Sequence, residues 1–563
     1  MKGSAPQPLL GYSVGIVGHR SDRIADAGQV RARIVEVLLA LEAAIDKAAA
    51  SGFYPAGRQP LRLVSALAEG ADRIAAMAAV EAGIELGVVL PFVPSEYRKD
   101  FTDEASRTQF DELLDKSAHV LVLDGNGAER QRAYEAAGMT MLDNCDLLIA
   151  VWDGGPGRGR GGTREVIEEA ARRAIPVLVI DPAGAGAMVR SGGPGAHPMR
   201  FDDVPAISTA DLAHLVAAEV GAEEGSAKAQ AWLRQAEPPR EPAIHSAYPL
   251  LLWLARVGSP RRRGRSAEPP PSEPPEDPLR RAFDWWDGVA IRAAQAFRSA
   301  VIVNFSLAAL AVVLSTASLL AGEVKWLFVL GEVVTILLLL ANTVSAGRRR
   351  WQERWLEARE VAELLRVCSM LRSVGIGRGI ADPGQGGLLG WYAGAFARGA
   401  PLEQADLSDS ATAAAPLVAE VRGQAQWNEA TARRMHLAAR RIERFGEILF
   451  AAVLVAAIGW LLLELAGPRT ASALRFELTA LTAGLPAMAT AAYGIRVILD
   501  FEGIAQRTGR IGSGLNALLD QWAENEPSAA RLQKFARKAA DIMLGDIAAW
   551  RLLTEGRRLT IPG

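Results

Sequence analysis

The sequence is poor in the residues that build covalent or metal-held frameworks. It has two cysteines, Cys145 and Cys368, in 563 residues. That argues against a disulfide scaffold or a metal cluster, and both thiols fit a reducing cytosol. Histidine is also scarce, with six, and His119, His197, His214 and His245 are scattered without the short spacings of metal ligands. The opening residues are not a convincing signal peptide, because their apolar stretch is short and broken by Gly, Pro and Gln. Membrane insertion therefore falls to internal segments. Two phosphate-binding patterns are also missing. There is no Gly-Lys-Ser/Thr, and Gly15-Ile16-Val17-Gly18-His19-Arg20 lacks the three-glycine spacing of a dinucleotide fingerprint.

Long hydrophobic runs are not missing. Val301 to Ala321 is 21 residues without a charge, and Trp326 to Ala346 is 21 more, interrupted only by Glu332. As helices, runs of about 18 or more residues cross a hydrocarbon core of roughly 30 Å. The short break Gly322-Glu323-Val324-Lys325 makes residues 301–346 a transmembrane hairpin. A second pair follows within 446–496: Ile448 to Leu463, then Leu478 to Ile495 with Pro486 inside. Each hairpin has an amphipathic helix before it (Phe283 to Ala300, Gln426 to Arg444) and charged helices after it, including Arg348 to Val374, Asp500 to Ala523 and Ser528 to Thr554. Both hairpins start on the same side, so the pattern is a parallel duplication. Arginines crowd the flanks, whereas the two short turns hold only Lys325, Arg469 and Arg475. The positive-inside rule predicts a multi-pass protein of the inner (cell) membrane with both termini in the cytoplasm. Trp285 and Trp286 are expected at the membrane–water boundary. Glu332 is a candidate pore or helix-contact residue. Asn304, Ser306, Ser315, Thr316, Thr335, Asn342 and Thr343 are candidates for lining a path or joining helices.

Residues 11–240 read differently. Apolar strands at Val14–Val17, Leu61–Leu67, Glu85–Leu90, His119–Leu123, Asp146–Trp152 and Ile175–Ile180 alternate with amphipathic helices. This predicts an α/β doubly wound parallel sheet covered on both faces. The expected division is therefore a ligand-binding domain over 11–240 and a Pro/Arg-rich linker over 241–280. A first membrane half spans 281–374, an irregular connector 375–425 and a second half 426–555. Residues 183–200 read as a loop or flap, and Tyr248 to Ala255 as a segment too short to span, one that lies in the membrane interface or packs on the sensor. The linker's Arg261-Arg262-Arg263-Gly264-Arg265 is a candidate for anionic headgroups. Without interleaved aromatics it gives no reason to expect nucleic acid.

In open α/β sheets ligands sit beyond the carboxyl ends of the strands. Gly18, His19 and Arg20 follow the first strand, and Ser65, Glu69, Gly70, Asp72 and Arg73 lie at or after the second. Asp153 and Gly154 follow the fifth, and the loop continues through Arg158, Arg160, Gly161 and Gly162 to Thr163 at the start of a helix. Glycines let a backbone approach a phosphate, a helix N-terminus offers free N–H groups, and arginine pairs with phosphate. These residues are the candidate ligand site, with Thr163 also a candidate N-cap. The ligand expected there is nucleotide-derived, and no other cofactor or metal is implied.

The segments GIVGHR, SALAEGADRIAA, VVLPF…YRKDF and CDLLIAVWDG…GGTREVIEEA, over roughly residues 11–182, resemble the SLOG domain. That Rossmannoid superfamily includes the lysine-decarboxylase-like (LOG) and DprA-like proteins. The resemblance implies binding of a nucleotide or nucleotide-derived ligand, NAD-derived or cyclic. The hydrolases of that group carry Pro-Gly-Gly-x-Gly-Thr-x-x-Glu. Here Pro156, Gly161, Gly162 and Thr163 fit loosely, Glu165 lies one residue nearer the threonine, and Val166 takes the glutamate's place. The departure favours sensing over hydrolysis. WLEAREVAELLR at 355–366 and GLPAMATAAYGIRVILDFEGIAQRTGRI at 484–511 resemble the SLATT group of small membrane modules, over about 285–550. The pair of resemblances implies a bacterial antiphage or conflict effector. Its membrane part would assemble into a homo-oligomer and permeabilise the bilayer when the sensor binds a signal, with a signal-producing enzyme encoded nearby as the implied partner. The alternatives are a membrane-anchored nucleoside or NAD hydrolase using Glu165, and a receptor without a pore.

Overall fold

The computed structural model describes residues 5–50, 53–57, 59–101, 103–155, 161–183, 187–190, 209–220, 229–234, 246–258, 277–378, 387–466 and 475–555. Six strands fall where the sequence places them: β1 Tyr12–Gly18, β2 Leu61–Ser65, β3 Glu85–Leu90, β4 His119–Val122, β5 Leu147–Val151 and β6 Val177–Ile180. Between them run α1 Ala27–Ala49, α2 Ala71–Glu81, α3 Pro94–Tyr97, α4 Glu104–Asp115, α5 Arg130–Leu142 and α6 Thr163–Arg172, with α7 Thr209–Val220 beyond. Two strands were not expected. β7, Ala187–Arg190, lies in the stretch 183–200 read as a loop, and β8, Ala405–Asp406, lies in the connector. The spatial order is β7-β6-β5-β1-β2-β3-β4-β8. β7 alone is antiparallel, paired to β6 at the edge, so the other seven strands are parallel.

β2 and β5 are buried along their whole length, as strands covered on both faces must be. Successive side chains then feed two different cores. Tyr12, Val14, Ile16, Leu147 and Ile149 join α1, α2 and α7 on one face. Val64, Val89, Leu148 and Ala150 join α5 and α6 on the other.

The remaining helices are α8 Ala247–Leu254, α9 Pro278–Ala317, α10 Lys325–Arg348, α11 Trp351–Arg372 and α12 Gly387–Gly399. They are followed by α13 Ser410–Ala466, α14 Arg475–Ile498, α15 Phe501–Ala523 and α16 Ala529–Glu555. Four helical stretches are long and apolar enough to cross a membrane: Pro278–Ala317, Gly322–Arg372, Ser410–Leu465 and Phe476–Ala523. Each lead-in helix is continuous with the span after it. α9 has 40 residues and α13 has 57, or roughly 60 and 86 Å at about 1.5 Å per residue. The two halves repeat in detail. Arg350 and Asp500, both in the left-handed region at φ 50° and 52°, separate α10 from α11 and α14 from α15. In each half the returning helix packs back along the long one, α11 on α9 and α15 on α13.

The expected cut between residues 240 and 281 is not a break in the packing. Trp286 and Val289 of α9, Val361 and Leu365 of α11, and Tyr392 and Phe396 of α12 belong to the first core of the sheet. Leu371, Val421, Leu515, Leu532 and Phe535 belong to the second. The connector 375–425 is therefore not irregular where it is described. It contains α12, β8 and the start of α13. Its glycines disfavour helix locally, but burial of Leu389, Trp391, Tyr392 and Phe396 outweighs a cost of about 1 kcal/mol per glycine. Trp285 and Trp286 are not boundary residues either. Both are buried, and Trp286 stacks on Trp232 at 4.7 Å and donates to the Tyr392 hydroxyl at 3.0 Å.

Candidate functional site

The spatial order reverses between β1 and β5. From β1 the chain fills one side through β4, then returns to add β5 and β6 on the other. At such a point the connections leave in opposite directions and open a crevice beyond the strand ends. His19 follows β1 and Asp153 follows β5, and they meet across it. His19 Nε2 lies 2.9 Å from Asp153 Oδ1 and 3.3 Å from the Asp153 backbone N–H. Arg23, in the turn after β1, ion-pairs with the second carboxylate oxygen. Gly155 N–H donates to Oδ1 at 2.9 Å, and Trp152 Nε1 donates to the Gly155 carbonyl at 3.1 Å. Burial pushes the Asp153 carboxyl up, but the Gly155 N–H, His19 and Arg23 outweigh it and hold the group below its usual range. His19 is 7% exposed and Asp153 37%, so the cluster has a buried floor and an open, charged top.

Two glycines let three backbones converge here. A Cβ on Gly18 would stand 2.4 Å from the Ala71 Cβ and 2.8 Å from the Val151 Cβ. Gly70, at φ 100°, would place one 2.4 Å from the His19 carbonyl. The Ala71 N–H donates to that carbonyl at 3.1 Å, which fixes the start of α2 beside His19. Arg20 is exposed next to this contact.

The rest of the second-strand group turns inward. Ser65 is fully buried, and its hydroxyl accepts from Leu67 N–H at 3.0 Å. Asp72 is 6% exposed and takes backbone hydrogen bonds from Ala66 and Ala68. Arg73 donates to the Leu67 carbonyl at 3.1 Å and the Ser106 hydroxyl at 2.7 Å, and lies 4.1 Å above the Phe101 ring. These three hold the turn rather than face a ligand. Glu69 remains half-buried, bonded by the Ser106 hydroxyl.

Burial pushes the Asp72 carboxyl up to about 7. A folded-state value above the unfolded one means that the native state binds the extra proton. Its contribution is therefore full below about pH 4 and is lost as pH rises toward 7. Asp72→Asn is expected to flatten that slope, removing up to roughly 1.4 kcal/mol per pH unit between about pH 4 and 7. Urea melts of both proteins across that range check it, and parallel curves would refute it.

In the glycine-rich loop, Gly154 and Gly161 have φ 78° and 75°. A Cβ on Gly161 would lie 2.7 Å from the Glu135 backbone nitrogen. Gly162 is the N-cap of α6, so Thr163 is the first helical residue and not the cap. Glu165 reaches back to accept the Gly161 N–H at 2.7 Å. That is the position of a capping carboxylate at the positive end of a helix, and it engages the one group on which hydrolysis would rest. Arg158 and Arg160 lie outside the described residues.

The structure thus brings together Gly18, His19, Gly70, Asp153 and Gly154, with Arg20 at their margin, and adds Arg23. A second polar group, also missed, stands beyond β3. Asp100 is bonded by Arg130 and the Tyr134 hydroxyl, and Arg130 pairs with Glu96 at 2.6 Å. The YRKDF motif contains Asp100, but nothing local predicts that residues 130 and 134 meet it. Two small cavities of about 20 Å³ lie elsewhere, one against Trp232, Trp286 and Glu357, the other against Arg62, Asp146 and Arg398. The first gathers Arg350 and Arg354 beside Glu353 and Glu357, and the second Arg62, Arg372, Arg378 and Arg398 around Asp146, but neither lies at the carboxyl ends of the strands. Among the described residues no three His, Cys, Asp or Glu side chains gather to hold a metal ion.

In the first hairpin Asn342 donates to Asn304 Oδ1 at 2.7 Å and to the Ala300 carbonyl at 3.0 Å, and Asn304 donates to Thr343 at 2.8 Å. These side chains join α9 to α10. Thr316 and Thr335 bond their own helix carbonyls. Glu332 is half-buried on α10, at the edge of the face formed by Thr335, Leu339 and Asn342. Between the hairpins, Phe305 of α9 fills the space over Gly494 of α14, where a Cβ would lie 2.1 Å from the ring.

Fold and site together describe a chain with four helices long and apolar enough to cross a membrane and a parallel α/β unit whose strand ends carry a charged cluster beside two closely packed glycines. No protein-family model matches the chain, and no curated protein matches it in sequence.

Proposed function

We propose that this chain is a ligand-gated membrane effector: a SLOG-like, Rossmann-type sensor joined to a duplicated SLATT-like membrane module in an antiphage or conflict system. The signal is nucleotide-derived. Its phosphate docks between Gly18–Arg23 and Asp153–Gly155, where Arg23 and the start of α6 at Gly162 and Thr163 supply positive charge. The effector assembles as a homo-oligomer in the inner membrane with both termini cytoplasmic. The observation that carries this reading is the shared core. Helices continuous with the apolar spans, α9 and α13, and those returning from them, α11 and α15, pack into the two layers that cover the sheet. A ligand that binds one arrangement of the crevice better than another thereby biases the hairpins, and without such a difference it shifts nothing.

The test uses the full chain in dye-loaded vesicles, titrated with NAD, ADP-ribose and cyclic nucleotides. One of them is expected to bind and release dye. Arg23→Ala is expected to weaken binding roughly ten- to a hundredfold, as loss of a charged hydrogen bond of about 1.5–3 kcal/mol implies. Binding without leakage would leave a receptor without a pore. Release of free base that disappears in Glu165→Ala would replace the effector with a hydrolase. Failure of the whole panel to bind would sink the nucleotide reading.

A further inference from the structure

α8 is eight residues long and has two apolar faces with different fates. On one, Tyr248 and Leu252 are buried against the base of the hairpins. Tyr248 N–H donates to the Ser299 hydroxyl at 3.1 Å, its ring stacks on Phe501, and Arg298 lies 5.0 Å above it. At the other end Arg441 of α13 donates to the Ala255 carbonyl at 2.6 Å. On the outward face Leu250, Trp253 and Leu254 are 54, 66 and 63% exposed. Three large apolar side chains at i, i+3 and i+4 form one continuous stripe.

The level of this stripe along the bundle indicates what covers it. Ser299 is two residues below Val301, where the uncharged run of α9 begins. On α13 the face carrying Arg441 continues through Phe445 and Ile448, 48 and 67% exposed, into the span. Arg256, exposed, follows directly on α8. A tryptophan and leucines facing outward, with arginine beside them, at the depth where spans become apolar, is the composition of a helix seated in a membrane interface.

We propose that α8 is an interfacial anchor. Leu250, Trp253 and Leu254 insert at the boundary between headgroups and acyl chains of the cytosolic leaflet, and Arg256 and Arg441 face lipid phosphates. The proposal rests on the reading that the apolar helices cross a membrane. Its occupant is lipid, not a second copy of the chain. α8 then fixes the depth of the bundle and ties the segment carrying Trp232, which stacks on Trp286, to the bilayer surface.

Both native cysteines are buried, so an introduced cysteine labels selectively. Leu250→Cys, Leu254→Cys, Leu337→Cys in α10 and Glu36→Cys on α1 are made in the full chain. Each is tagged with a polarity-sensitive fluorophore and reconstituted in phosphatidylcholine/phosphatidylglycerol vesicles. Labels at 250 and 254 are expected to emit to the blue of the label at 36 and to be quenched by lipids carrying a headgroup-level quencher. If they match the label at 36 while the label at 337 is quenched by lipid, the anchor is wrong and the membrane reading stands. If 337 also matches 36, the membrane reading itself fails. If 250 and 254 shift to the blue but resist lipid quenching and form disulfides between copies, the face is a contact between chains and the proposal is overturned.

Discussion

A chain cut after residue 240 is expected to lose its cooperative fold. The sheet looks self-sufficient in sequence, with strands, crossover helices and a proline-rich segment following it. In the structure both of its layers are completed by later residues. Val289, Val361, Leu365 and Phe396 close one core, and Leu371, Val421, Leu532 and Phe535 close the other. Burying one such side chain contributes roughly 1.5–3 kcal/mol, whereas a whole domain is stable by only about 5–15 kcal/mol. Several of these contacts therefore match the entire margin. Polar groups would be stranded as well. Arg62 would lose the Arg398 and Gly399 carbonyls, and Asn144 would lose the Gly375 carbonyl and the Gly377 N–H. Circular dichroism and size-exclusion chromatography of residues 1–240 check this. A soluble monomer with a sharp thermal transition would show that the α/β unit stands alone.

Gly70→Ala is expected to abolish the crevice, and Gly83→Ala, its control, is not. Both glycines have positive φ, 100° and 70°. At Gly83 a Cβ meets nothing within 4 Å, so the cost is the left-handed backbone alone, about 1 kcal/mol. At Gly70 the Cβ would strike the His19 carbonyl at 2.4 Å and Arg20 at 2.7 Å, and these are backbone atoms that cannot swing aside. Relief requires the start of α2 to leave His19, breaking the Ala71 N–H bond that fixes the crevice. A loss of roughly 3 kcal/mol or more is expected from strain and displacement together, with ligand binding lost even where the chain still folds. Chemical denaturation and binding titrations of the two variants decide it. Equal effects in both would remove the close approach from the account of the site.

Much of this architecture is legible in the sequence because burial is written into it continuously. β5 reads as Leu147-Leu148-Ile149-Ala150-Val151, apolar without alternation, and only a strand covered on both faces needs that. The spans are equally plain, since water tolerates no such runs. What the sequence conceals lies where distant segments supply each other's partners. β8 has two residues and no strand pattern; its pairing with Leu121 and Val122 makes it a strand. α12 carries four glycines and is helical because its apolar side chains are enclosed. Strand ends are legible in sequence, so His19 and Asp153 stand out as candidates, but their meeting depends on the order of β1 and β5 in space. Ser65, Asp72 and Arg73 share the neighbourhood of the same strand end and point into the protein. One-dimensional position does not separate a residue that lines a crevice from one that braces it.

β8 also sets an order of events during synthesis. The sheet edge at β4 is completed by residues 405 and 406, which emerge from the ribosome only after both helices of the first hairpin. An α/β domain usually closes as soon as its own residues are out. Here the newborn sheet keeps one edge open until residues 301–346 have been made. Its second layer waits longer still, for Leu532 and Phe535 beyond the second hairpin. Synthesis of both apolar hairpins thus precedes completion of the sheet's far edge and of its second layer.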